Sequence, residues 1–104
     1  MFMKHEKLVR DKVPEIMQER GDNPETHIAD DEEYWIKLKD KLKEEVYEYL
    51  DNEKVSEMAD ILEVINAICD FKNIDKDELE EIRRSKLEEK GGFVKRIIWE
   101  KTIE

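Results

Sequence analysis

The chain has 104 residues, one domain's worth by the usual size prior, and a formal net charge of −10. Charged residues make up 46% of it and apolar residues 38%, with three Gly and two Pro. That charge works against nucleic-acid backbones and anionic membranes, helical spacing of the apolar residues argues against disorder, and so few turn formers argue against an all-β fold.

In chain order, Leu8, Val13, Ile16 and Met17 come first, at roughly helical spacing. Pro14 suits a first turn, so a helix is predicted to start near Lys12. Gly21-Asp22-Asn23-Pro24 ends it, and the short piece from Thr26 to Ala29 favours an extended form. Asp30 or Asp31 then caps a long helix running to about Leu50, with the stripe Trp35, Leu38, Leu42, Val46 and Tyr49. Asp51-Asn52-Glu53 is a polar break.

A second long helix is predicted from about Val55 to Phe71. It carries one stripe of Val55, Met58, Leu62, Ile65 and Cys69, and another of Ile61, Val64, Ile68 and Phe71. An arc that wide predicts a central position. Asp75 to Glu78 has capping-box spacing and opens a helix to about Lys90, with Leu79, Ile82 and Leu87 facing inward. Gly91-Gly92 stops it. The apolar, β-prone run from Phe93 to Trp99 reads as a short strand, pairing with His27 to Ala29, or as a docking arm. The expectation is an all-α single domain spanning 1–104 around a helical hairpin, with a possible short C-terminal β strand.

Cys69 is the single cysteine, so no intrachain disulfide forms and a reducing compartment is expected. No apolar run approaches the ~20 residues that span a bilayer, and Met1 to Arg10 lacks the apolar core of a signal peptide. The expected location is the cytoplasm, with no membrane and no nucleic acid as partner. A chain this short buries a modest core, so self-association is a natural way to cover more apolar surface.

The two long helices meet at a short break, which makes them antiparallel neighbours. At that register Glu45 lies level with Asp60, and Glu48 with Glu57. Within each pair on one helix the acids are one turn apart, about 5–6 Å. In the stripe 35, 38, 42, 45, 49 every position but Glu45 is apolar, and the partner stripe 57, 60, 64, 67, 71 also turns acidic at the hairpin end. Inward carboxylates carry a desolvation cost and repel one another unless a cation joins them. Oxygen-only ligation selects Mg²⁺, with Mn²⁺ as a substitute, or Ca²⁺, over zinc. Magnesium shares its shell with substrate phosphates, which suits a pyrophosphate clamp. Glu44, Glu45 and Glu63 are the candidate catalytic acids; Glu44 and Glu63 flank the cage, where either could serve as general base or second-ion ligand.

Glu44-Glu45-Val46-Tyr47-Glu48 followed by Glu57-Met58-Ala59-Asp60 resembles the E-E-x-x-E … E-x-x-D signature of MazG-like, all-α nucleoside triphosphate pyrophosphohydrolases, a superfamily that includes phosphoribosyl-ATP pyrophosphohydrolase. Lys7-Leu8-Val9-Arg10-Asp11-Lys12-Val13-Pro14, and Lys90-Gly91-Gly92-Phe93 with Arg96-Ile97-Ile98, resemble the two ends of a small branch of it. The resemblance covers nearly the whole chain. It implies a four-helix-bundle-like fold assembled as a homodimer or homotetramer. It implies Mg²⁺-dependent cleavage of a nucleotide between the α and β phosphates. Glu45, Glu48, Glu57 and Asp60 would be the metal ligands and Glu44 an accessory acid. Lys7, Arg10, Lys86 and Arg96 would contact phosphate or sugar. Two other readings accompany it: phosphoribosyl-ATP hydrolysis in histidine biosynthesis, and a helical oligomerisation or regulatory module that binds metal without catalysis.

Asn73, Asp75 and Asp77 hint at a calcium loop, but the sixth and twelfth positions are Glu78 and Arg84, where an EF-hand needs Gly and Glu. His5 and His27 are isolated, and Trp35 and Trp99 read as packing residues.

Overall fold

The computed structural model describes residues 6–104; His5 lies outside them. Four helices are present: α1 (Val13–Glu19), α2 (Asp31–Asn52), α3 (Val55–Lys72) and α4 (Lys76–Lys90). The all-α class and the helical hairpin expected from the sequence are both there.

Local chemistry sets the boundaries. α1 has Pro14 in its first turn, where a missing N–H costs nothing. Its end runs into Gly21 at φ 91°, a backbone that favours glycine. Asp30 caps α2, its side chain accepting from Glu33 N at 2.9 Å. α2 runs through Asp51 and Asn52, two residues beyond the predicted end. The chain turns at Glu53, in left-handed backbone at φ 55°, whose N–H donates to Tyr49 O at 2.7 Å. Lys54 completes the connection, its N–H donating to Asn52 Oδ1 at 3.0 Å. Asp75 caps α4 through Asp77 N at 2.8 Å, two residues on rather than the three of a capping box.

The chain divides into two compact units, Met1–Lys72 and Asn73–Glu104. In the first, α2 and α3 pack as the antiparallel hairpin. Its centre is Leu38, 1% exposed, with Val64 and Cys69 also buried. Trp35 stacks on Phe71 at 5.9 Å between ring centroids, and Tyr34 meets the same ring edge-on at 5.2 Å. The predicted α2 stripe is buried or half-buried throughout. On α3 the stripe of Ile61, Val64, Ile68 and Phe71 is covered.

The other α3 stripe departs from expectation. Val55 is 80% exposed, and Met58 and Leu62 are also exposed. α3 is therefore covered over part of its apolar arc and is not wrapped as a central helix would be. In the second unit Leu79, Ile82 and Leu87, expected to face inward, are likewise exposed. Of the two readings of the C-terminal tail, the strand is not seen: no strand forms among the described residues. Phe93 to Arg96 closes instead as a turn, Arg96 N donating to Phe93 O at 3.1 Å. His27 to Ala29 forms no ladder either. Propensity alone makes no strand, because an extended segment needs a paired edge for its N–H and C=O groups. No helix among the described residues is long and apolar enough to cross a membrane.

Candidate metal centre

The hairpin brings Glu45 of α2 together with Glu57 and Asp60 of α3, one carboxylate oxygen from each lying within 4.8 Å of the others. The alignment that sets Glu45 level with Asp60 is thus present in three dimensions. Glu45 occupies a position in the buried stripe and is itself only 6% exposed. Glu57 and Asp60 are half-buried.

Glu48 belongs to the same electrostatic system, one turn along α2. Its carboxyl is pushed above the usual value by desolvation, then by the Glu45 charge and by hydrogen bonding and charge at Glu57. Four carboxylates therefore interact at the hairpin end, three of them as a tight trio.

Two oxygens decide what this cluster is suited for. Glu45 Oε2 and Glu57 Oε2 are buried and have no hydrogen-bond partner. Their sister oxygens are satisfied: Lys41 Nζ lies 3.4 Å from Glu45 Oε1, and Asn52 Nδ2 donates to Glu57 Oε1 at 3.2 Å. A buried unsatisfied carboxylate oxygen costs about 1–3 kcal/mol, and more when charged. Each of the two acids thus presents one bare oxygen. An all-oxygen donor set of this kind fits a hard divalent cation such as Mg²⁺ or Mn²⁺.

Three bases bound the cluster. Lys7 Nζ pairs with Glu44 Oε1 at 3.1 Å. Lys41 Nζ lies 3.1 Å from Glu44 Oε2 and also reaches Glu45. Arg10 Nη2 donates to Asp60 Oδ1 at 2.7 Å. Burial pushes the Glu44 carboxyl up, but Lys7 and Lys41 outweigh it and hold it below its usual value.

Of the residues singled out from the sequence, Glu45, Glu57 and Asp60 converge. The exposed Glu48 interacts with Glu45 and Glu57, Glu44 is joined to the trio through Lys41, and Lys7 and Arg10 pair with Glu44 and Asp60. Glu63 is exposed on α3. Lys86 and Arg96 belong to the second unit, both exposed. Sequence reasoning missed Lys41. Its signal was present, since Lys41 stands three and four residues before Glu44 and Glu45. It also missed Lys37, which with Glu6, Lys7, Leu8, Asp40, Lys41 and Glu44 lines an open cavity of about 250 Å³ beside the cluster.

No protein-family model matches the chain. It is similar to an uncharacterized protein of Mycolicibacterium smegmatis, 46% identical over 41 residues. That stretch is 39% of this chain and 42% of the relative, so the match spans less than half of either. No solved structure matches.

Proposed function

We propose that this protein is a divalent-cation-dependent pyrophosphohydrolase that cleaves a nucleotide between its α and β phosphates, releasing a monophosphate and pyrophosphate. The observation that carries the reading is the Glu45–Glu57–Asp60 trio, with buried, unpartnered oxygens on two of its members. The sequence pattern spanning both helices is its second support.

In this reading Glu45, Glu57 and Asp60 hold the cation, with Glu48 beside them. Mg²⁺ is the natural choice, with Mn²⁺ as substitute. The cation supplies charge neutralisation on the phosphate tail. The chain's own residues do the rest. Lys7, Lys37 and Lys41 line the adjoining cavity together with Glu6, Asp40 and Glu44, and the lysines would be the donors to phosphate oxygens. Water adds across the anhydride, its oxygen going to phosphorus as the bond to the bridging oxygen breaks. A carboxylate takes the water proton, and Glu44 and Glu63 are the candidates. Glu44 is held ionised between two lysines, which favours the acceptor form but weakens it as a base. A homodimer or homotetramer is part of the same reading.

The test is pyrophosphate release from a panel of canonical and modified nucleoside triphosphates and phosphoribosyl-ATP, with and without Mg²⁺. Magnesium-dependent release with a matching monophosphate is the expected result. Silence across the panel from folded, metal-bound protein would leave the metal-binding module as the reading.

A further inference from the structure

The basic side chains at the cluster are not equivalent. Lys7 and Arg10 are half-exposed and reach the outer acids Glu44 and Asp60. Lys41 is different: its side chain is 16% exposed, and it reaches the buried ligand Glu45. It lies between two carboxylates, 3.1 Å from Glu44 Oε2 and 3.4 Å from Glu45 Oε1. The Glu44 contact is the shorter. The Glu45 contact is long for a charge-assisted hydrogen bond, which runs at about 2.7–2.9 Å. The other oxygen of Glu45, Oε2, is buried with no hydrogen-bond partner, and the groups around this carboxylate besides Lys41 are the acids Glu48, Glu57 and Asp60.

We infer that Lys41 is an internal counter-ion of Glu45, sharing that carboxylate with the metal ion and so setting how tightly the site binds metal. The inference rests on the metal-centre reading above. The i, i+3 and i, i+4 spacings on α2 keep Glu44 and Glu45 both within reach of the Lys41 ammonium. Without metal, Lys41 offsets the repulsion of a carboxylate packed among acids. A divalent cation held by Glu45 would set a second positive centre on the carboxylate that Lys41 already faces, while Glu44 would keep Lys41 partnered. The lysine therefore stabilises the metal-free protein and weakens the metal complex.

Those two effects have opposite signs, which separates a counter-ion from a merely structural lysine. The experiment uses the full chain. Free Mn²⁺ is titrated by electron paramagnetic resonance, and melting is followed in EDTA. Lys41→Met is expected to bind Mn²⁺ about three- to tenfold more tightly than the unaltered protein, the scale of one partly screened charge a few ångströms away. Its Tm in EDTA is expected to fall. Lys41→Arg, which keeps the charge, should track the unaltered protein in both. Lys41→Gln, neutral but still a hydrogen-bond donor, should tighten Mn²⁺ in the same direction, and serves if the methionine variant does not fold without metal. Equal or weaker Mn²⁺ affinity in both folded neutral variants would overturn the inference while leaving the metal centre standing. No Mn²⁺ binding by the unaltered protein would overturn the metal centre itself, and the counter-ion role with it.

Discussion

Arg10 Nη2 lies 2.7 Å from Asp60 Oδ1, joining the segment before α1 to an acid fifty positions further along. The Arg10 side chain is 58% exposed and that of Asp60 37%. An exposed pair contributes about 0–1 kcal/mol. Arg10→Ala should therefore shift the urea midpoint little. If the guanidinium also meets a phosphate, the same variant should raise KM about tenfold or more, since a hydrogen bond to a charged group is worth about 1.5–3 kcal/mol. A large stability loss with KM unchanged would make Arg10 a strut and nothing else.

Glu45→Gln and Asp60→Asn should each abolish the metal-dependent rise in melting temperature. For the unaltered protein that rise corresponds to about 2.7 kcal/mol at a metal concentration a hundred times Kd. Circular dichroism should show the helices intact in both. Turnover should fall by at least about a hundredfold, since losses of that order follow even from disturbing a metal site's outer partners. Full activity in either variant would remove these residues from the site.

Glu48 gives the metal-free protein a signed pH dependence. Its carboxyl is raised above the ordinary 4.5 by desolvation and by Glu45 and Glu57. The folded state then binds that proton more tightly than the unfolded chain. Its contribution to stability is present below pH 4.5 and is lost as pH rises through the folded value. Glu44 has the opposite sign. It is lowered despite partial burial, because of Lys7 and Lys41. Its contribution is present above 4.5 and is lost as pH falls through the lowered value. Melting in EDTA across this range should show Glu48→Gln flattening the decline toward neutral pH and Glu44→Gln flattening the decline toward acid.

Leu38 is 1% exposed at the centre of the hairpin. Leu38→Ala should cost about 2–5 kcal/mol by the usual range for buried leucine truncation. Chemical denaturation measures it directly. Leu62→Ala, on an exposed position, should cost far less in the isolated chain. A large penalty there, growing with protein concentration, would place a second copy over that stripe.

Much of the hairpin was legible in the sequence because two periodicities agreed. The α2 stripe named by Trp35, Leu38, Leu42 and Tyr49 is the covered face, and Glu45 interrupts it where the acid trio forms. The antiparallel register followed from a short break alone. What failed was the reading of apolar residues as necessarily buried. Val55, Met58 and Leu62 on α3, and Leu79 and Ile82 on α4, have the spacing of an inward stripe and remain exposed. Periodicity shows that a face exists without showing what lies against it. The tail failed for a related reason: β-prone residues from Phe93 to Trp99 find no partner edge. Lys41 escaped notice because a lysine beside acids on a helix ordinarily reads as a surface pair, and its burial is visible only in three dimensions.

The two-residue connection at Glu53 and Lys54 works as a gauge block. With α2 ending at Asn52 and α3 starting at Val55, its length decides which acid faces which. A residue inserted so as to extend either helix would keep every carboxylate in the sequence but turn those beyond it by about 100° relative to their partners. The centre is thus encoded as much in the shortness of a loop as in the identity of its ligands.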